Sequence, residues 1–143
     1  MQPINFDETL ESIIKKDSRY HREAYLFLRE ALDYTQKIVT KGGKEEMHHV
    51  TGQELLSGIR DFALVQFGPM AMTVLSEWGV TTCEDFGELV FNMVDASLLA
   101  KTDKDQREDF KGGYEFNEAF RQPFLPKVPE VRRPVVEVKS TQV

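Results

Sequence analysis

A single cysteine, Cys83, stands in 143 residues, so no internal disulfide can form and a reducing cytoplasm is the expected compartment. Long apolar runs are missing as well. Nothing approaches the roughly 20 consecutive apolar residues that span a bilayer, and no membrane segment is expected. The opening stretch MQPINFDETLESIIKKD meets charge too early for the apolar core of a secretory signal. Gly42-Gly43 and Gly112-Gly113 lack the flanking pattern of a phosphate loop, and no His or Cys spacing marks a metal site. No internal repeat appears, which excludes solenoid architectures. Positive charge is in short supply: 18 Lys and Arg face 24 Asp and Glu, a formal net charge of −6. That balance argues against nucleic acid or an anionic membrane as partner. What remains is ordinary globular usage, 41% apolar and 29% charged residues, at a length that suits one domain.

Apolar spacing predicts helices along most of the chain. Asn5 and Glu8 make a capping-box pattern, after which Phe6, Leu10, Ile13 and Ile14 fall on one stripe. Asp17 or Ser18 is the expected cap of a second helix with Tyr20, Ala24, Phe27, Leu28, Ala31, Leu32, Thr35 and Ile38 inward. Its other face carries Arg22, Arg29, Asp33 and Lys37, with Arg29/Asp33 and Asp33/Lys37 spaced to meet. Residues 40–50, with two glycines and mixed charge, read as a surface loop. Thr51 and Glu54 repeat the capping box and open a third helix that buries Leu55, Leu56, Ile59, Phe62 and Ala63. Gly68-Pro69 separates it from a fourth helix, Met70 to Trp78, which Gly79 ends. Thr81 or Thr82 caps a fifth, from about Cys83 to Ser97, with Phe86, Leu89, Val90, Met93 and Val94 inward. Gly58 and Gly87 fall inside helices, where close approach of a neighbour is the usual reason.

Two helices joined by a glycine turn suggest a helix-turn-helix. The short runs Leu98 to Thr102 and Phe110 to Phe116, around a charged tip, suggest a β-hairpin in the position of a wing. The expected fold is therefore mainly α (α+β): a five-helix domain over 1–126, in which 5–39 is a two-helix N-terminal extension and 51–118 resembles a winged-helix domain. The alternative is a plain five-helix bundle with an irregular loop. Phe124 and Leu125 would anchor the PFLP segment, and 127–143 reads as an extended or disordered tail.

Charge is unevenly placed. Residues 51–100 hold one cationic side chain, Arg60, against seven carboxylates. The outward face of the fifth helix carries Glu84, Asp85, Glu88, Asn92 and Asp95, which would repel phosphates in a major groove. Phe91 lies near the edge of that face, about 140° from Phe86 at the helical 100° per residue. An aromatic rimmed by charge is a common interface anchor; packing against the wing or the N-terminal helices is the alternative. Glu84, Asp85, Glu88, Phe91, Asn92 and Asp95 are thus the candidate partner-binding residues. No catalytic, cofactor-binding or metal-binding residue is assigned. Cys83 with His21, His48 and His49 forms no recognisable nucleophile–base arrangement, and His48-His49 beside Glu45 and Glu46 reads as loop. Tyr20-His21-Arg22 at a helix start could hold an anion, although Tyr20 packing inward is the simpler reading.

Several stretches together carry a resemblance: Asp17 to His21 with Ala24-Tyr25, Gly52 to Arg60, Gln66 to Ala71, Glu77 to Gly79, Cys83 to Glu88, Val90 to Val94, Asp109 to Tyr114 and Ala119 to Pro126. In these the chain resembles an uncharacterised bacterial family known mainly from planctomycetes and verrucomicrobia, over about residues 6–126. The resemblance implies a cytoplasmic bacterial protein. It transfers no activity, catalytic residue or binding residue. The leading expectation is a non-enzymatic interaction or regulatory module with a protein partner on the acidic helix. The rivals are a winged-helix transcription regulator, touching DNA through the wing or N-terminal helices, and a small-ligand binder or enzyme with a pocket between the N-terminal helices and the winged part.

Overall fold

Helices start where the sequence offers an acceptor to their open N–H groups. The computed structural model describes residues 6–40 and 49–126, so the cap expected at Asn5, the pair at His48 and the tail 127–143 lie outside the described residues. Thr51 and Thr82 each cap a helix through a complete capping box, with Glu54 and Asp85 returning the bond. Among the described residues the α-helices are α1 (Phe6–Lys16), α2 (Arg22–Thr40), α3 (Gly52–Phe67), α4 (Ala71–Glu77) and α5 (Cys83–Asp95). A 3-10 turn, Gly68–Met70, leads directly from α3 into α4, with Pro69 where its missing N–H costs nothing. One cap differs from expectation. The N-terminal turn of α2 is closed by the His21 ring, whose Nδ1 accepts from the Glu23 amide at 3.0 Å, while Asp17 is engaged elsewhere.

α2 and α3 pack side by side as the centre of the molecule, α5 crosses both, and α1 closes against α2. The core follows the apolar stripes: Leu10, Leu28, Ile59, Leu75, Phe86 and Leu89 are fully enclosed. Tyr25, outside the expected stripe of α2, is enclosed too, and Ile38, placed inside it, is exposed. Gly58 marks the closest approach of α2 and α3, where Thr35 fills the space that a side chain would take.

The wing is not there. Among the described residues there is no β-strand, which overturns the α+β class and the β-hairpin wing expected within 51–118. The alternative of five helices with an irregular loop describes the chain. The physical reason lies in local hydrogen bonds that pre-empt cross-strand pairing. Asp105 Oδ2 accepts from the Thr102 amide at 2.9 Å, and Asp109 Oδ2 from the Gln106 amide at 3.0 Å, each curling the backbone back on itself. The second closes a 3-10 turn, Arg107–Phe110, that drives Phe110 into the core against Gly87 of α5. A π-turn, Asn117–Arg121, then packs Phe120 beside α4. Phe120, not the PFLP pair, is the anchor: it is fully enclosed, whereas Phe124 and Leu125 are 43% and 46% exposed.

Candidate functional site

The acidic face of α5 is partnered from outside its own segment. Arg19, in the turn before α2, donates Nε to Asp17 Oδ1 at 2.8 Å and Nη2 to Asp17 Oδ2 at 2.6 Å. The same Nη2 reaches Glu88 Oε1 at 3.1 Å. Arg107, from the 3-10 turn, donates Nη1 to the other oxygen of Glu88 at 3.0 Å and lies 3.9 Å from Asp95. Its guanidinium also covers the Phe91 ring, 5.1 Å from the centroid. Phe91 is consequently 7% exposed and is packed rather than presented to a partner. Asn92 donates to Asp17 Oδ2 at 3.0 Å and to the Tyr25 hydroxyl at 3.1 Å, tying α5 to α2. Asp85 accepts from the Tyr20 hydroxyl and from the Thr81 and Thr82 amides. Of the six candidate residues, Glu84 alone is exposed with no hydrogen bond or ion pair among the described residues.

These partners set the ionisation. The paired bonds from Arg19 hold the Asp17 carboxyl well below the usual carboxylate range, against a smaller opposing effect of burial. At Asp85 burial raises the pKa, but the bonds from Tyr20, Thr81 and Thr82 together outweigh it and the net direction is down. Burial and the bond to Asp85 push the Tyr20 phenol up. A carboxyl with a depressed folded pKa stabilises fully above its unfolded pKa of about 4, and that stability is lost as pH falls through the folded value. Stability should therefore decline progressively below about pH 4. In urea melts run from pH 7 down to pH 2.5, the deficit of Asp85→Asn relative to the parent should shrink as the solution is acidified. A constant deficit would show that the Asp85 charge contributes nothing.

Cysteine chemistry has no footing. Cys83 is buried, its Sγ lies 3.4 Å from the Tyr114 carbonyl, and burial pushes the thiol pKa up. His21 is spent as a cap, Tyr20 packs inward, and Arg22 donates Nη2 to Asp7 Oδ1 at 2.7 Å. Among the described residues no group of three His, Cys, Asp or Glu converges as metal ligands, and no helix is long and apolar enough to cross a membrane.

What the helices do border is an open-sided pocket of about 170 Å³ lined by α2, α3, α5 and the segment that leads to Phe110. Leu32, Leu55, Val90, Val94, Leu99 and Phe110 provide apolar wall. Polar groups gather on the side of the 99–110 segment: His49 Nε2 lies 2.9 Å from Asp105 Oδ2, with Lys101 and Asp109 also at the lining. Gln36 lines the α2 side, and its Oε1 is buried with no hydrogen-bond partner among the described residues. The 99–110 segment is pinned on both flanks, by Arg107 to α5 and by Gln53 Nε2 donating to the Asp109 carbonyl at 2.9 Å. His49, Asp105 and Gln36 are far apart in sequence and have no motif spacing, so only the fold brings them together.

Comparison of the chain with protein-family profiles, with curated proteins and with solved structures returned no match.

Proposed function

We propose that this chain is a non-enzymatic cytoplasmic binding protein whose ligand is a small, largely apolar molecule held in the pocket between α2, α3 and α5. This reading is akin to the small-ligand alternative of the sequence, and it is supported by a pocket that α2 of the N-terminal pair, α3, α5 and the 99–110 loop line. The observation that carries it is a concave apolar site with polar groups gathered on one side, the usual form of a ligand pocket. At about 170 Å³ it is close in size to an engineered apolar cavity of about 150 Å³ that takes up benzene. A single ring or a short branched chain fits, with a hydroxyl or amine end toward His49, Asp105 and Lys101.

Docking of a protein on the acidic face of α5 is the weaker reading. Arg19 and Arg107 already meet Glu88, and Arg107 covers Phe91, so a partner would have to displace bonds the chain makes to itself.

Phenol, indole and benzene serve as probes in amide-shift NMR titrations. Saturable shifts confined to Leu55, Val90, Val94 and Leu99 are expected. Val94→Phe or Leu99→Phe, each filling the pocket from a half-buried position, should weaken phenol binding at least about ten-fold, or 1.4 kcal/mol. Shifts that never saturate, or that survive both substitutions, would rule the pocket out.

A further inference from the structure

A second concavity lies on another face of α2, away from the pocket, and its chemistry differs. It is an open trench of about 460 Å³ floored by Phe27, Phe67 and Trp78 and edged by Glu23, Glu30 and Asp33. The three rings touch one another with centroids 5.6 to 5.7 Å apart. Phe67 and Trp78 stand at 80°, so their faces point in two directions and form a corner. Glu23 and Glu30 are seven residues apart, two helical turns, which aligns them on one edge.

None of the three carboxylates forms an ion pair among the described residues. The cation on the same wall, Arg29, points elsewhere: its guanidinium lies 4.5 Å from the centroid of the Phe6 ring. The i, i+4 pairing of Arg29 with Asp33 expected from spacing therefore does not close. The trench is left with three carboxylates that close no ion pair, beside the partly exposed rings of Phe67 and Trp78, whose faces are themselves the negative end of a quadrupole. A neutral apolar occupant would desolvate those carboxylates with nothing in return. A planar cation answers both features at once, because guanidinium stacks on ring faces and donates in pairs to a carboxylate.

We propose that this trench binds an arginine side chain presented by a basic peptide segment of a partner protein. The site is independent of the small-ligand pocket and shares no lining residue with it. Ring stacking holds the guanidinium in the Phe67–Trp78 corner, and Glu30 and Asp33 neutralise it from α2.

Trp78 is the one tryptophan in the sequence, so its fluorescence reports the trench directly. The probe is the peptide acetyl-Gly-Arg-Gly-Arg-Gly-amide, titrated against the full chain at low salt. Its partner is the same peptide with citrulline, a neutral isostere, in place of arginine. A saturable change in Trp78 emission is expected for the arginine peptide, with the citrulline peptide at least about five-fold weaker. Glu30→Gln and Asp33→Asn, both at surface positions, should each weaken the arginine peptide by up to about five-fold, the upper end for an exposed ion pair. Affinity should also fall with added salt. Equal binding of the two peptides would overturn the proposal in favour of an apolar occupant. An emission change that depends on protein concentration alone would overturn it in favour of a second copy of the chain. No saturable change up to millimolar peptide would overturn it outright. Phenol binding in the α2–α3–α5 pocket is read from different residues, so either site can fail without the other.

Discussion

Gly58→Ala is expected to destabilise the protein by about 2–3 kcal/mol, the upper part of the range for a core forced to accept an extra methyl group. The sign is the informative part, because the same change at an open position in a helix gains about 1 kcal/mol. A Cβ at residue 58 would sit 1.7 Å from Thr35 Oγ1 and 2.8 Å from Thr35 Cβ. Thr35 has little freedom to yield. It is 2% exposed, and its hydroxyl donates to the Ala31 carbonyl at 2.7 Å within α2. The helices must therefore separate, and α2 and α3 form the largest helix contact in the molecule. Urea melts check the size of the effect. The mechanism is checked by Thr35→Ala combined with Gly58→Ala. Removing the threonine hydroxyl and methyl takes away the 1.7 Å contact and leaves only the 2.8 Å approach of the two Cβ atoms, so the double variant should recover part of the loss and be more stable than Gly58→Ala alone. Two simply additive losses would mean that the helices are not in contact through this pair.

What could be read from the sequence follows how local each determinant is. The capping box at Thr51/Glu54 was legible because donor and acceptor are three residues apart, and it is present; of the two caps offered for α5, Thr81 or Thr82, the structure uses Thr82, and Asp85 returns the bond. The apolar stripes of α1, α3 and α5 were legible for the same reason. The 98–116 region failed because two short apolar runs around a polar tip describe a hairpin and a buried turn equally well. Only Asp105 and Asp109 bonding back to Thr102 and Gln106 separates the two, and such side-chain turns leave no apolar period. The surroundings of α5 were illegible for a different reason. Counting charge by segment assigned the acidic surplus to residues 51–100, but Arg19 precedes that segment, Arg107 follows it, and the fold brings both onto α5. A charge excess in sequence became a mixed ion-pair belt in space, and Phe91 was covered by it. Tyr25 escaped notice because its phenol is satisfied by Asn92, 67 residues away, a pairing no periodicity contains. The pocket's polar groups share that difficulty, with 56 residues between His49 and Asp105.

Phe110→Ala should cost about 3–5 kcal/mol, as for other buried phenylalanines, and should abolish phenol binding in the same step. The ring is 3% exposed and lies against α5, where a Cβ at Gly87 would be 3.0 Å from it, and it also reaches Gly52 at the start of α3. Phe110 is therefore at once a core residue and the piece of pocket wall that holds the 99–110 segment in place. The bonds inside that segment, Thr102 with Asp105 and Gln106 with Asp109, are local and survive the substitution. What is lost is docking: without the ring, the turn is held by the exposed Arg107–Glu88 ion pair, worth at most about 1 kcal/mol, and by the single bond from Gln53 Nε2 to the Asp109 carbonyl. Urea denaturation and hydrogen exchange read the two levels separately. If the segment detaches as a local unit, the measured global loss cannot exceed the free energy of docking it, and amides from Lys101 to Lys111 should lose protection before those of α3. If the ring is integral to the core, α5 and α3 should lose protection together with the full destabilisation. The burial against two helices favours the second outcome. Phe110→Leu, which keeps most of the apolar volume, should recover the larger part of the stability while leaving the pocket wider, so that indole gains on benzene as a ligand.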